Sequence, residues 1–146
     1  MKFKAIVMMF LTTLPASYAA ADNVKAKSVN NSCGLVTVYK TPPKTKNIHF
    51  ASVNSIDGEV VTSGTQTFAL TPGKHIIKVV EQIRENSLTR RRGEMKNYKF
   101  IEVNIEANHK YDLGAKFIRK NRSKLKTGEY WQPVVWKTSE SECNLG

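Results

Sequence analysis

Apolar and polar residues alternate along most of the chain after residue 32, in short runs that are separated by turn signals. Alternation with a period of two is typical of strands that bury one face. No segment keeps an apolar repeat of helical period over three turns. The pattern therefore predicts an all-β fold.

The first half of the pattern divides into three predicted strands. GLVTVYK begins at Gly34 and ends before Pro42, and a second strand runs from about Ile48 to Ile56. Asp57 and Gly58 follow directly. An Asp-Gly pair accepts positive φ at both turn positions, which predicts a hairpin into a short third strand, EVVT.

A Pro-Gly pair separates the next two apolar runs. Pro72 fixes φ near roughly −65° and Gly73 tolerates positive φ, which suits a type II turn. We expect this turn to reverse the chain between a strand that ends at Leu70 and one that begins at Ile76. His75 lies just beyond the turn, and we interpret it as a strand residue at the sheet margin.

Two more alternating strands and a final one complete the pattern after a polar, basic connection from Arg84 to Asn97. Phe100 beside Ile101 breaks strict alternation, which indicates either a bulge or a point where both faces are covered. The final strand, YWQPVVWKT, contains Pro133, which predicts an edge strand or a bulge.

About seven to eight short strands with frequent turn signals, and no repeat or low-complexity segment, favour one architecture. We predict a single β-sandwich, Ig-like or prealbumin-like, of antiparallel strands.

The N-terminus has the features of a secretory signal peptide. Lys2 and Lys4 precede the apolar run Ala5 to Leu14, and small residues follow it. The apolar run is too short to cross a bilayer of about 30 Å, so we expect no transmembrane anchor.

Cleavage after Ala19 and cleavage after Ala21 both fit the small residues, and we favour Ala21. Residues 1–21 are then the signal peptide, and residues 22–146 form a single exported domain in the periplasm or outside the cell. A chain of this length is enough for one modest core.

The chain contains two cysteines, Cys33 and Cys143, near the two ends of the exported domain. Export delivers them to a compartment where disulfides persist, so we predict a structural disulfide. They lack the CxxC spacing and the neighbouring His that a metal-binding or redox pair would show.

One stretch resembles a known family. VNSIDGEVV followed by FALTPGKHIIKVV, within Val53 to Ile83, is similar to bacterial envelope domains of the PEGA type and more loosely to the exported curli-synthesis-inhibitor family of unknown function. TPGK stands where the PEGA motif has Pro-Glu-Gly-Ala. The resemblance implies a small periplasmic β-sandwich without shared catalytic residues.

No sequence motif indicates catalysis. His49, His75 and His109 lie far apart, without HxH or HExxH spacing, and the chain has neither a GxSxG elbow nor a Gly-rich phosphate loop. We therefore expect no enzyme, no metal site and no cofactor.

The charge is the strongest functional signal. The chain carries a formal charge of +11, and removal of residues 1–21 leaves 21 basic and 12 acidic residues. The stretch Arg84 to Lys126 holds 13 basic and 5 acidic residues. Its two basic connections are separated by two strands, and two reversals bring a chain back to the same end. The predicted polyanion-binding patch comprises Arg90, Arg91, Arg92, Lys96, Arg119, Lys120, Arg122, Lys124 and Lys126.

Such a patch suits an anionic lipid, lipopolysaccharide or an acidic glycan, because Arg makes bidentate contacts with phosphate. Nucleic acid is disfavoured, since only Tyr98 and Phe100 are interleaved with the basic residues. The charge could also be a solvated surface without a ligand. A second hypothesis is a protein-interaction module or inhibitor that acts on an acidic envelope protein through the edge strand marked by Pro133.

Overall fold

The structure is a computed structural model that describes residues 32–88 and 97–146. The predicted signal peptide lies outside these residues. The described part of the chain is all-β, as predicted, with two short 3-10 helices, Lys44–Lys46 and Arg119–Asn121. Its strands are β1 Gly34–Thr37, β2 Ile48–His49, β3 Ala51–Ile56, β4 Glu59–Val60, β5 Thr67–Leu70, β6 Gly73–Glu81, β7 Tyr98–Ile105, β8 His109–Phe117 and β9 Trp131–Glu140.

The first sheet is built around β8. β9 pairs with β8 along its whole length, so β1 and β2 share the opposite edge of β8, and β5 pairs with β1. β1 runs parallel to β8, with Val36 opposite Tyr111. This corrects the prediction that all strands pair antiparallel. The two strands are far apart in sequence, so no short turn forces them to run in opposite directions.

The second sheet has the order β4-β3-β6-β7 and is antiparallel throughout. Asp57 and Gly58 join β3 to β4 with φ values of 51° and 85°. Two consecutive positive φ values are those of a type I′ turn, which matches the twist of a hairpin. The predicted Asp-Gly hairpin is confirmed.

The predicted strand from Ile48 to Ile56 is divided at Phe50. β2 belongs to the first sheet and β3 to the second, so the chain changes sheets at this residue. The carbonyl oxygen of Phe50 accepts a hydrogen bond of 3.0 Å from the backbone N–H of Gln82. The apolar positions change from even to odd numbers between Phe50 and Ala51, a break in alternation that the predicted single strand included.

The Pro-Gly connection also differs from the prediction. Gly73 has a positive φ of 128°, as expected, but β5 and β6 lie in different sheets. Pro72 and Gly73 therefore connect the sheets and do not close a hairpin. A turn sequence fixes local dihedrals, whereas strand pairing is decided by which face is buried.

Phe100 lies neither at a bulge nor at a point where both faces of the sheet are covered, so both predictions for it are wrong. The register of β7 on β6 is continuous from Tyr98 to Ile105, so there is no bulge, and Phe100 is 61% exposed. Ile101 contacts the core instead.

The prediction for Pro133 is confirmed. Pro133 lies in β9, opposite Ala115 of β8. Within the described residues β9 pairs only with β8, so it is an edge strand.

One hydrophobic cluster draws side chains from both sheets. The first sheet contributes Val36, Phe68, Leu113 and Trp131, and the second contributes Val53, Ile77, Val79, Val103 and Ile105. Trp131 has no exposed surface. Burial of large aromatic and branched side chains of this kind dominates the stability of a small β domain.

The predicted disulfide between Cys33 and Cys143 is present, with a Cα–Cα distance of 5.2 Å. Ser32 and Asn144 form a β-bridge beside it. The bond therefore ties the chain before β1 to the chain after β9.

Candidate functional site

The described start of the first basic connection, which ends at Leu88, contacts the second basic connection. Glu85, two residues beyond Ile83, has its Oε1 4.0 Å from Nη2 of Arg119, which follows β8. Further along, Nζ of Lys99 donates a hydrogen bond of 2.6 Å to the carbonyl oxygen of Trp131. The described parts of the two connections therefore lie close together.

The second basic connection is held in shape by hydrogen bonds. Nδ2 of Asn121 donates to the carbonyl oxygen of Glu129 at 2.9 Å, and Nε of Arg119 donates to Oδ1 of Asn47 at 2.8 Å. These contacts leave its five predicted binding residues on the surface. All five are exposed: Arg119, Lys120, Arg122, Lys124 and Lys126.

Some cations of this connection form ion pairs with acidic side chains, and others do not. Nζ of Lys124 lies 3.4 Å from Oε1 of Glu129. The hydroxyl of Thr127 and then Lys124 lower the pKa of Glu129, so that carboxylate stays charged beside the lysine. Lys120, Arg122 and Lys126 form no ion pair within the described residues. They are the free cations of this surface.

Four predicted patch residues, Arg90, Arg91, Arg92 and Lys96, lie outside the described residues. The structure adds two cations that the prediction left out. Arg84 and Lys44 are both exposed and line one cavity near Arg119.

A buried histidine lies behind this surface. His49 is 8% exposed, and its Nε2 lies 3.5 Å from Oε1 of Glu85. Burial lowers the pKa of His49, Glu85 opposes that effect, and Lys44 and Arg119 add to it. Glu85 thus lies between a buried imidazole and an exposed guanidinium. The contact depends on the sheet switch at Phe50, which the predicted strand from Ile48 to Ile56 did not include.

A second histidine forms an Asp-His pair. Nδ1 of His75 lies 2.6 Å from Oδ2 of Asp57, and its Nε2 lies 2.7 Å from the carbonyl oxygen of Thr71. In a Ser-His-Asp triad the second ring nitrogen faces a nucleophile. In this protein Nε2 of His75 faces the carbonyl oxygen of Thr71, which is not a nucleophile of that kind. The geometry therefore supports a structural role for His75.

Metal-binding and membrane-spanning features were sought in the same residues. Across 32–88 and 97–146, no group of three or more His, Cys, Asp or Glu side chains is placed to hold a metal ion. Within those ranges no helix is sufficiently long and apolar to span a membrane.

Comparison with known protein families, with curated proteins and with solved structures finds no match.

Proposed function

We propose that this protein is an exported, non-catalytic binding module that contacts polyanions through its basic end. We define the basic end as the surface formed by the connections after β6 and after β8. The observation that supports the proposal is the contact between Glu85 and Arg119, since it brings the described start of one basic connection beside the other.

Charge density is the physical reason for the proposal. Lys120, Arg122 and Lys126 are exposed and carry no ion pair within the described residues, so their fields add. Guanidinium groups bind phosphate and carboxylate through two parallel hydrogen bonds. Lipopolysaccharide, an anionic lipid surface and an acidic glycan all present such groups at close spacing.

The proposal includes the architecture and the location. A cluster shared by two sheets supports a single β-sandwich, and the Cys33–Cys143 disulfide supports an oxidising compartment, the periplasm or the cell exterior. The signal-like N-terminus and the resemblance of Val53 to Ile83 to PEGA-type envelope domains agree with both.

The test is a binding titration of residues 22–146 with vesicles of anionic lipid, with lipopolysaccharide and with an acidic glycan, each at several salt concentrations. The variant Arg122→Gln/Lys126→Gln removes two free cations of the basic end. The matched control Lys74→Gln/Lys110→Gln removes the same charge at the starts of β6 and β8.

We expect affinity to fall as salt rises, because surface ion contacts are screened. A cation near an anionic surface contributes about 1 kcal/mol, so the basic-end variant should bind roughly 30-fold more weakly. The affinity of the control variant should stay within a factor of about 3 of that of the unmutated protein. Equal losses in both variants, or no binding at physiological salt, would refute the proposal.

A second function is favoured by β9. This ten-residue strand pairs only with β8 within the described residues, so its other edge is open to a further strand. An acidic envelope protein that added a strand there would bind partly through main-chain hydrogen bonds, so its affinity would fall less steeply with salt than that of a polyanion. A photo-cross-linker at Gln132 should then capture it, and the same group at Arg122 should not.

A further inference from the structure

A cavity of about 290 Å³ opens at the point where the chain changes sheets. One wall is the segment that leads into β2, and the other is the segment that follows β6. The hydrogen bond from Gln82 to the carbonyl oxygen of Phe50 joins these walls. Ligand pockets usually measure about 300–1,000 Å³, so this cavity suits a small molecule or an end group and not a length of polymer.

The charged side chains of the cavity are all cationic. Lys44 and Arg84 line it, and no acidic residue is among the described residues that do. Neither cation forms an ion pair within the described part of the chain. Two unpaired cations on facing walls are suited to hold an oxyanion, and a guanidinium adds bidentate geometry.

The inner wall supplies an unsatisfied polar atom. His49 lines the cavity with a side chain that is 9% exposed, and its Nε2 has no hydrogen-bond partner. Glu85 is within ion-pair distance of this atom but lacks hydrogen-bond geometry. Buried polar atoms without a hydrogen-bond partner are rare, and this one belongs to a side chain that lines the cavity.

The rest of the lining is apolar apart from Gln82. Phe50 is 40% exposed beside Ile48 and Pro42. An exposed aromatic ring at the mouth of a cationic cavity offers a surface for the non-ionic part of a ligand.

We propose that this cavity binds a small oxyanion group, a phosphate or a carboxylate, between Lys44 and Arg84, with His49 at its inner wall. Phe50 covers the remainder of the ligand. The site borders the basic end, because Arg84 belongs to the connection after β6. It differs from polyanion binding in holding one small group inside a cavity.

The test is an NMR titration of residues 22–146 at pH 7 with sodium phosphate and, separately, sodium acetate, at ionic strength matched with chloride. The readouts are the imidazole resonance of His49 and the backbone amides of Phe50 and Gln82. The variant Lys44→Gln/Arg84→Gln removes both cations of the cavity, and Lys74→Gln/Lys110→Gln is the matched control.

We expect saturable shifts confined to the cavity, a loss of affinity of roughly tenfold or more in the cavity variant and none in the control. Saturation with phosphate alone identifies a phosphorylated ligand, and saturation with acetate identifies a carboxylated one. The inference is overturned if neither probe saturates, or if the shifts persist in the cavity variant. Polyanion binding by the Arg122→Gln/Lys126→Gln variant is scored separately, so the two proposals fail independently.

Discussion

The carboxylate of Asp57 joins the hairpin turn between β3 and β4 to the start of β6. Its Oδ1 accepts a hydrogen bond of 2.8 Å from the backbone N–H of Ile76, and its Oδ2 lies 2.6 Å from Nδ1 of His75. The ring of His75 continues the chain of contacts to Thr71. One side chain thus connects the Asp-Gly turn with the Pro-Gly connection, two segments that are distant in sequence.

Asp57→Asn should remove part of the acid sensitivity of the fold. The N–H of Ile76, and after it His75, hold the pKa of Asp57 below its usual value of 3.8. A lowered pKa contributes stability that is present above the unfolded pKa and is lost as pH falls through the folded one. Urea unfolding between pH 2 and 7 should show a smaller decline below about pH 4 in the variant.

Asn is the matched replacement at this position, because its amide oxygen still accepts from Ile76 and it tolerates the positive φ of Asp57. Parallel loss of stability in both proteins on acidification would show that the Asp57 carboxylate has no part in it.

Replacing both Cys33 and Cys143 by Ser should destabilise the protein by about 4 to 5 kcal/mol, the chain-entropy value for a loop of about 100 residues. The two cysteines are 110 positions apart, so the bond restricts nearly the whole exported chain in the unfolded state. Urea unfolding under oxidising conditions measures the difference. The unmutated protein with a reducing agent is the control and should match the variant. If reduction leaves its stability unchanged, the bond does not act through the unfolded chain.

Local backbone requirements made part of the fold predictable. Asp57 and Gly58 form the expected hairpin, because positive φ at two successive residues leaves few other structures. Gly73 has the expected positive φ, but the choice of sheet for β5 and β6 is made by distant contacts. A period of two identifies a strand without identifying its neighbour.

The candidate site, like the fold, was predicted only in part. The count of strands between two connections predicts which end they share, and the contact of Glu85 with Arg119 agrees. The position of His49 behind that contact was not predicted. It depends on the switch between sheets at Phe50, which the predicted continuous strand from Ile48 to Ile56 did not include.

Tyr130→Phe should destabilise the fold by about 1–3 kcal/mol, the effect of removing a hydrogen-bond partner from a buried polar group. Glu81 is fully buried, and its Oε1 accepts a hydrogen bond of 2.8 Å from the Tyr130 hydroxyl. Thermal or urea unfolding measures the change. Tyr39→Phe is the control, because Tyr39 is 70% exposed. If both variants lose the same stability, the contact between Tyr130 and Glu81 contributes nothing specific.

Gly114→Ala should destabilise the fold through crowding. A Cβ at this position would lie 2.7 Å from Cγ2 of Ile48 and 3.1 Å from Cδ1 of Trp136, so neighbouring atoms must move. Overpacking of this kind usually costs about 1–3 kcal/mol. Urea unfolding should show that loss in the single variant.

The closest contact can be removed to test the cause. Ile48→Ala deletes the Cγ2 that a Cβ at Gly114 would meet, so Gly114→Ala should cost less in that background than in the unmutated protein. Residues in direct contact show such non-additive effects, whereas independent sites add. Equal effects of Gly114→Ala in both backgrounds would mean that Ile48 is not what makes glycine necessary here, and that the backbone or Trp136 sets the limit instead.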